Sequence, residues 1–196
     1  MQNRAIKHTS KSEKTMARIL EAAIDEFSAY GMAGARVDRI AQKSRANKTG
    51  IYGYFGNKEK LFNFVLATVL DRLDEGVKFD PEDLSGYALQ IFDYLYRHQE
   101  IYRIMVWAAL ENNLSKILLE HLHVGSHLRQ IENLQKQGRI SSRYRAEDLL
   151  AMLYGTASAW LPSNITGVAL SACGNADLTA ARESLVLMVR HICLTE

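Results

Sequence analysis

Residues 47–62 read NKTGIYGYFGNKEKLF, and this stretch carries the strongest structural signal in the chain. Ile51 and Phe55 stand four residues apart, the spacing at which two side chains share one face of a helix. Gly50 and Gly53 interrupt the same segment, and each glycine costs a helix interior about 1 kcal/mol relative to alanine. The stretch therefore predicts a short helix that buries one face and keeps small residues on another.

The composition is that of a globular chain with a substantial core. The 196 residues are 47% hydrophobic and 23% charged, and only two are prolines. Long amphipathic segments with little β-type alternation predict an all-α fold. No apolar stretch is long enough to span a membrane, and residues 1–14 lack the apolar segment of a signal peptide, so we expect a cytoplasmic protein. Cys173 and Cys193 are too far apart in sequence for a metal-binding pair.

Charge is unevenly distributed along the chain. Residues 1–60 hold twelve lysines and arginines against six acidic residues, a net charge of +6. Residues 61–196 hold twelve against sixteen, a net charge of −4. A basic first third attached to an acidic remainder is typical of a segment that faces a polyanion, although a solvated basic face explains it equally well.

Helix signals divide the first third into short elements. Gly31 is a stop signal after the apolar stripe of the first helix. A second helix is predicted from Val37 to Ser44, and Asn47 is a good N-cap for a third helix beginning at Lys48. Two short helices joined by a tight turn and packed on a longer helix form the helix-turn-helix, the minimal DNA-reading unit.

Further helices are predicted over the rest of the chain, about nine in all. A fourth helix is expected to begin at Lys58. Pro81 suits the first turn of the next helix, and Pro162 must kink or end a later one. The predicted spans after the fourth helix are residues 80–98, 100–112, 115–137, 146–161 and 178–193.

Residues 34–62, GARVDRIAQKSRANKTGIYGYFGNKEKLF, resemble the amino-terminal domain of tetracycline-repressor (TetR) family transcription regulators. The likeness covers roughly residues 12–66. It implies a helix-turn-helix DNA-binding domain over residues 1–57 and a helical effector-binding and dimerisation domain over residues 58–196. The matching residues are Ile40-Ala41 in the second helix, Ile51-Tyr52 and Tyr54-Phe55 in the third, and Lys58-Glu59-x-Leu61 in the fourth.

The resemblance also implies roles for individual residues at a DNA operator. Lys48, Thr49 and Gly50 are expected to approach bases, and Tyr52 and Tyr54 to donate to phosphates. The full set of predicted DNA-binding residues is Arg36, Arg45, Asn47, Lys48, Thr49, Gly50, Tyr52, Tyr54 and Lys58.

The chain departs from the family pattern at a few of these positions. Arg36 stands where the family has a hydroxyl residue, Arg45 stands within the turn, and Gly53 replaces a frequent aromatic residue. Simpler roles also stay open for the predicted residues. The tyrosines are compatible with core packing, the two arginines with a solvated face, and the glycines with packing against another helix.

A DNA-binding third attached to a larger helical body is typical of a sensor, and the family resemblance implies a ligand pocket in that body. Apolar and aromatic helices with a few polar groups can enclose a small molecule, although an ordinary aromatic core explains most of these residues. The candidate pocket residues are Tyr87, Phe92, Met105, Trp107, Asn112, His123, His127 and Tyr154. Glu120, His123 and His127 share one face of a predicted helix, but such faces are more often polar surface than metal sites. We expect no metal and no other cofactor.

The last helices offer more apolar surface than a small bundle needs, and such surfaces usually meet a partner. In the family, the last two helices form a twofold dimer that matches a palindromic operator. The candidate interface residues are Leu149, Met152, Leu153, Leu185, Met188, Val189 and Ile192.

The sequence thus predicts a DNA-binding transcriptional regulator, a homodimeric repressor that an unknown small-molecule effector releases from double-stranded DNA. The alternative is a helical small-molecule binding or scaffolding protein whose helix-turn-helix no longer reads DNA. No nucleophile–base arrangement and no phosphate-cradling loop appears in the sequence, so we do not expect an enzyme.

Overall fold

The computed structural model describes residues 11–111, 117, 121–174 and 177–194, and this part of the chain contains ten helices and no strand. The all-α prediction is confirmed. The helices are α1 (Lys11–Gly34), α2 (Val37–Ser44), α3 (Lys48–Phe55), α4 (Lys58–Gly76), α5 (Leu84–Arg97), α6 (Gln99–Leu110), α7 (Val124–Lys136), α8 (Ala146–Ser158), α9 (Ile165–Ala172) and α10 (Leu178–Cys193).

Helices α1 to α4 form an amino-terminal head around α1, which packs against both α2 and α4. Phe27 of α1 and Phe62 of α4 meet edge to face, with ring centroids 5.1 Å apart, and both side chains are fully buried. The second helix has its predicted bounds, and the third and fourth begin at the predicted residues. The turn and cap residues of this region therefore determine its local structure.

The body is built from the helices after α4. Helix α5 packs against α8 and α10, while α7 lies on α8. Helix α6 returns to the head, where it packs against α1 and α4. Buried residues of head and body belong to one contiguous hydrophobic core. No helix of the described residues is long and apolar enough to cross a membrane.

Several predicted helix bounds were wrong in the body. Helix α5 begins at Leu84, with Asp83 as its N-cap, because the Asp83 carboxylate accepts from the backbone N–H of Gly86 at 2.8 Å. Pro81 therefore lies in the turn before the helix. The predicted helix over residues 115–137 does not run unbroken, since His123 has a φ of 47° and α7 begins after it.

The helix predicted over residues 146–161 ends at Ser158, before Pro162. An additional short helix, α9, follows it and was not predicted. Its N-cap is Asn164, whose side chain accepts from the N–H of Thr166 at 2.9 Å. Among the described residues the chain therefore has one helix more than predicted.

Gly31 interrupts α1, and side chains of α6 and of its C-cap residue form hydrogen bonds with the α1 backbone on both sides of this break. The φ of Gly31 is 65°, a left-handed value, and the helix resumes as far as Gly34. The Ser28 carbonyl accepts from Arg103 Nε at 2.7 Å and from Trp107 Nε1 at 3.2 Å. Beyond the break, Glu111 Oε1 accepts from the N–H groups of Met32 and Ala33 at 3.1 and 3.2 Å. The hydrogen bonds at this helix break thus form a joint between head and body.

Gly31→Ala is expected to lower the free energy of unfolding by about 2–4 kcal/mol. An added Cβ would lie 2.8 Å from two ring carbons of Trp107, and alanine is also strained by about 1–2 kcal/mol at a left-handed φ. Gly138→Ala is the matched control, because Gly138 has a φ of 68° and no atom within 4 Å of an added Cβ. Urea unfolding measures both. Equal losses of unfolding free energy in the two variants would mean that the contact with Trp107 contributes nothing to the effect of Gly31→Ala.

Candidate nucleic-acid interface

Helix α3 is anchored along one face and open along the other. Ile51 and Phe55 are its buried residues. At its start, Asn47 Oδ1 accepts from the backbone N–H of Gly50 at 2.5 Å, which confirms Asn47 as the N-cap. Lys48 and Thr49 are exposed in the first turn. The helix therefore presents its amino-terminal end and one side to solvent.

The two glycines of α3 do not pack against another helix. A Cβ at Gly53 would have no atom within 4 Å. A Cβ at Gly50 would meet only the side chain of Asn47, with Oδ1 at 2.9 Å. Gly50 thus leaves room for the cap, and Gly53 leaves an unobstructed patch on the exposed face.

Tyr52 and Tyr54 lie at the surface rather than in the core. Their side chains are 37% and 40% exposed. The Tyr54 hydroxyl lies 3.0 Å from Ser12 Oγ, so it joins α3 to the first turn of α1. Both hydroxyls remain available for a further hydrogen bond, because a hydroxyl has one donor and two acceptor positions.

Of the four predicted basic residues, the two arginines are exposed, and Lys58 has partners within the head. Arg36 and Arg45 are both solvent-facing. Arg45 ends α2 with a left-handed φ of 53°, a conformation that is uncommon for an arginine. Lys58 donates from Nζ to the carbonyls of Ala33 and Ala35 at 3.4 and 3.3 Å. These bonds leave the Lys58 ammonium one further donor.

The ammonium group of Lys48 is paired with a residue of α2 that the sequence did not indicate. Lys48 Nζ lies 3.0 and 3.1 Å from the two carboxylate oxygens of Asp38. This hydrogen bond raises the pKa of Lys48 above its usual value. The two residues are ten apart and lie on different helices, so helical spacing could not reveal the pair.

A second pair missed by the sequence holds α2 against α1. The Glu26 carboxylate is almost fully buried and accepts from Arg39 Nε at 2.8 Å and from the Arg36 N–H at 2.7 Å. Burial alone would raise the pKa of Glu26, but the bonds from Arg39 and Arg36 outweigh it and lower that pKa. Arg39 also lies over the Tyr30 ring. The head is therefore fixed by a charged pair as well as by its core.

Three of the predicted pocket residues come together in the body. The Tyr87 and Tyr154 hydroxyls lie 3.0 Å apart, and Tyr87 meets His127 edge to face. Phe79, which was not predicted, stacks on His127 with ring centroids 3.9 Å apart. His127 is only 7% exposed, and its Nδ1 has no hydrogen-bond partner in the part of the chain that the structure describes. Burial lowers the pKa of His127.

The other predicted pocket residues lie elsewhere. Trp107 faces α1 at Gly31, and Phe92 is buried beside Tyr96 in the core. Met105 is half-buried on α6, and His123 is exposed in front of α7. Asn112 lies outside the described residues.

The helix face of Glu120, His123 and His127, considered above as a metal site, also differs from its sequence-based prediction. Its first member, Glu120, lies outside the described residues. His123 precedes α7 instead of sharing a helix face with His127. Within the described ranges, no group of three histidine, cysteine or acidic residues could hold a metal ion.

The predicted dimer residues divide between the core and the surface. Leu149, Leu153, Leu185 and Val189 are each at most 1% exposed within the single chain, so they have no surface left for a partner. This part of the prediction was wrong, because those side chains face other helices of the same chain. Met152 and Ile192 are half-buried and Met188 is exposed. The large exposed residues nearby are Ile165, Val168, Leu178 and Leu187.

Known protein families match both parts of the chain. Residues 19–65 match the family described as "Bacterial regulatory proteins, tetR family". Residues 83–191, more than half of the chain, match the family described as "Tetracyclin repressor-like, C-terminal domain".

Individual relatives agree with these matches. The HTH-type transcriptional repressor SCO4008 of Streptomyces coelicolor is 38% identical over 149 residues, 74% of this chain and 78% of that protein. The HTH-type transcriptional repressor NicS of Pseudomonas putida is 33% identical over 132 residues, 64% of this chain and 57% of that protein. The crystal structure of SCO4942 from Streptomyces coelicolor superimposes with a TM-score of 0.80 at 33% identity, covering 91% of this chain and 98% of that chain.

Gly53 offers a direct test of the open face of α3. Gly53→Leu is expected to leave the protein folded, because an added Cβ has open space. It should lower affinity for an operator far more than affinity for random duplex, since bulk there holds the helix away from the base edges. Gly125→Leu, at an exposed helical glycine of α7, is the control. Fluorescence anisotropy measures both affinities, and a variant with unchanged operator preference would show that the patch does not face bases.

Proposed function

Since the chain belongs to the tetracycline-repressor family of transcriptional regulators, we propose that it is a homodimeric repressor released from a palindromic operator by a small molecule. DNA binding and regulation come with the family. Repression rather than activation of transcription is supported by two relatives that are described as transcriptional repressors. A protein that binds chromosomal operators works in the cytoplasm, which we propose as its location.

The observation that carries the proposal is the open face of α3. The helix is buried through Ile51 and Phe55 only, while Lys48, Thr49 and Gly53 are unobstructed. A major groove admits one α-helix, and small or hydrogen-bonding side chains let its backbone approach the base edges. Helix α3 would therefore enter the groove with its amino-terminal end leading.

Contacts to phosphate would fix the helix in register. Tyr52 and Tyr54 can donate from exposed hydroxyls on α3, and Arg36 and Arg45 are exposed on either side of α2. Lys58 retains one donor after its bonds to α1. Such contacts supply affinity and orientation without base information.

Dimerisation would use the outer faces of α8 and α10. On α10, Leu187 is 66% exposed and Met188 is 39% exposed, although the neighbouring Leu185 is fully buried. On α8, the exposed small residues Ala151 and Gly155 lie one turn apart and allow a second helix to approach closely. A twofold arrangement of these helices would present two copies of α3 to the two half-sites of a palindrome.

The effector would bind beside the aromatic cluster of Phe79, Tyr87, His127 and Tyr154. The rings contact one another, and the buried Nδ1 of His127 has no hydrogen-bond partner among the described residues. A few polar groups among aromatic side chains are typical of small-molecule sites. An unpaired buried nitrogen is costly, so a ligand that satisfies it would gain free energy.

Helix α6 is the proposed route from effector to operator. It is bonded to α1 through Arg103, Trp107 and Glu111 on both sides of Gly31. A shift of α6 would therefore move the end of α1 and the head that packs on it. Coupling free energies of about 1–3 kcal/mol are typical between two such sites.

DNA binding is expected to depend steeply on salt. Phosphate-contacting residues occur twice per dimer, so about 6–10 contacts would cost roughly three to five decades of affinity between about 50 and 200 mM salt.

The operator is first selected from fragments of the source genome, and anisotropy titrations then compare it with random duplex. Equal affinity for both would favour a binding or scaffolding protein that no longer reads DNA.

Leu187→Glu is expected to give monomers that bind the operator poorly, with little change in thermal stability, because the side chain is exposed in the single chain. Leu110→Glu is the matched control, since Leu110 is 70% exposed at the end of α6. Sedimentation velocity at micromolar concentration measures the association state. A native protein that sediments as a monomer, or a Leu187→Glu variant that stays dimeric, would contradict this interface.

A further inference from the structure

We propose that Asp38 is a specificity-determining residue, whose carboxylate and the Lys48 ammonium together read the orientation of one base pair in each half-site, with guanine or thymine facing Lys48 and cytosine or adenine facing Asp38. This inference rests on the proposed function, in which α3 enters a major groove. It adds an acidic residue of α2 to a reading surface that was predicted from α3 alone.

The geometry joins the starts of two helices. Asp38 lies in the first turn of α2, and Lys48 is the first residue of α3. Lys48 Nζ lies 3.0 and 3.1 Å from the two Asp38 oxygens. The Asp38 side chain is 74% exposed and that of Lys48 is 49% exposed. A donor and an acceptor are therefore held side by side at the surface, with unused capacity on both groups.

The major-groove edge of a G·C pair has the complementary arrangement. Guanine presents the acceptors N7 and O6, and cytosine presents the N4 amino donor. O6 and N4 are hydrogen-bonded to each other within the pair, so they lie about 3 Å apart. That spacing matches the distance between the Lys48 nitrogen and the Asp38 oxygens. The ammonium can donate to O6 or N7 while the carboxylate accepts from N4.

Two of the other three base-pair orientations oppose the same two groups, whereas a T·A pair matches them, because thymine O4 accepts and adenine N6 donates at the corresponding places. At an A·T pair, the adenine N6 amino donor would face the ammonium and the thymine O4 acceptor would face the carboxylate. Reversing the G·C pair exchanges donor and acceptor in the same way. A carboxylate near the phosphates also weakens binding to DNA in general, so Asp38 is favourable only where the amino group of a cytosine or an adenine compensates it. Specificity then comes partly from repulsion of the wrong sequences.

The test compares Asp38→Ala with the wild-type protein on the selected operator and on duplexes with every base substituted at each half-site position. In wild type, one position per half-site should strongly prefer guanine or thymine over cytosine or adenine on one strand. In Asp38→Ala, that preference should fall by about tenfold, while affinity for random duplex rises. Preferences at the other positions should stay the same. Thermal unfolding should change little, because an exposed ion pair contributes little to stability.

Asp25→Ala is the matched control. Asp25 forms a surface ion pair with Lys43 in the same head, at 2.5 Å, and both side chains are exposed. Removing it changes the charge of the head equally, but it should leave the base preference at every position unchanged.

Two results would overturn the inference. One is an Asp38→Ala profile identical to wild type at every position, and the other is a uniform change like that of Asp25→Ala. A wild-type protein with no sequence preference would instead overturn the proposed function, and the inference with it.

Discussion

The joint at Gly31 connects the amino-terminal head to the rest of the molecule. A left-handed residue inside α1 releases backbone groups from helical hydrogen bonds, and side chains of α6 bond to that part of the backbone. Arg103 and Trp107 donate to Ser28, and Glu111 accepts on the other side of the break. The head cannot separate from α6 without losing these bonds. The position of helix α3 in the head thus depends on the body.

Helix α3 depends on this support for its own structure. An isolated helix of eight residues with two glycines is not stable in water. Asn47 caps its start, and Ile51 and Phe55 fix it to the core of the head. Stability therefore comes from one face, and the other face is left free of packing constraints. A small residue such as Gly53 is tolerated there because, among the described residues, no atom lies within 4 Å of a Cβ added at that position.

Apolar residues of a single helix in the body lie on two different faces, one buried and one exposed. Along α10, Leu185 and Val189 are buried against the chain's own helices, while Leu187 faces solvent. All three are apolar, and helical periodicity alone does not tell which stripe meets the core and which stays exposed. Similarly, Trp107 is one of several aromatic residues in the body, but its indole N–H bonds to α1 rather than to a pocket.

Local signals in the sequence were enough for the head. The caps and glycines predicted α2 and the starts of α3 and α4, since those interactions act within a few residues. The sequence also indicated the all-α class and the family. Pairs such as Glu26 with Arg39 and Asp38 with Lys48 could not be found in this way. They join residues ten or more apart on different helices, and only the packing of α1, α2 and α3 brings such groups within hydrogen-bond distance.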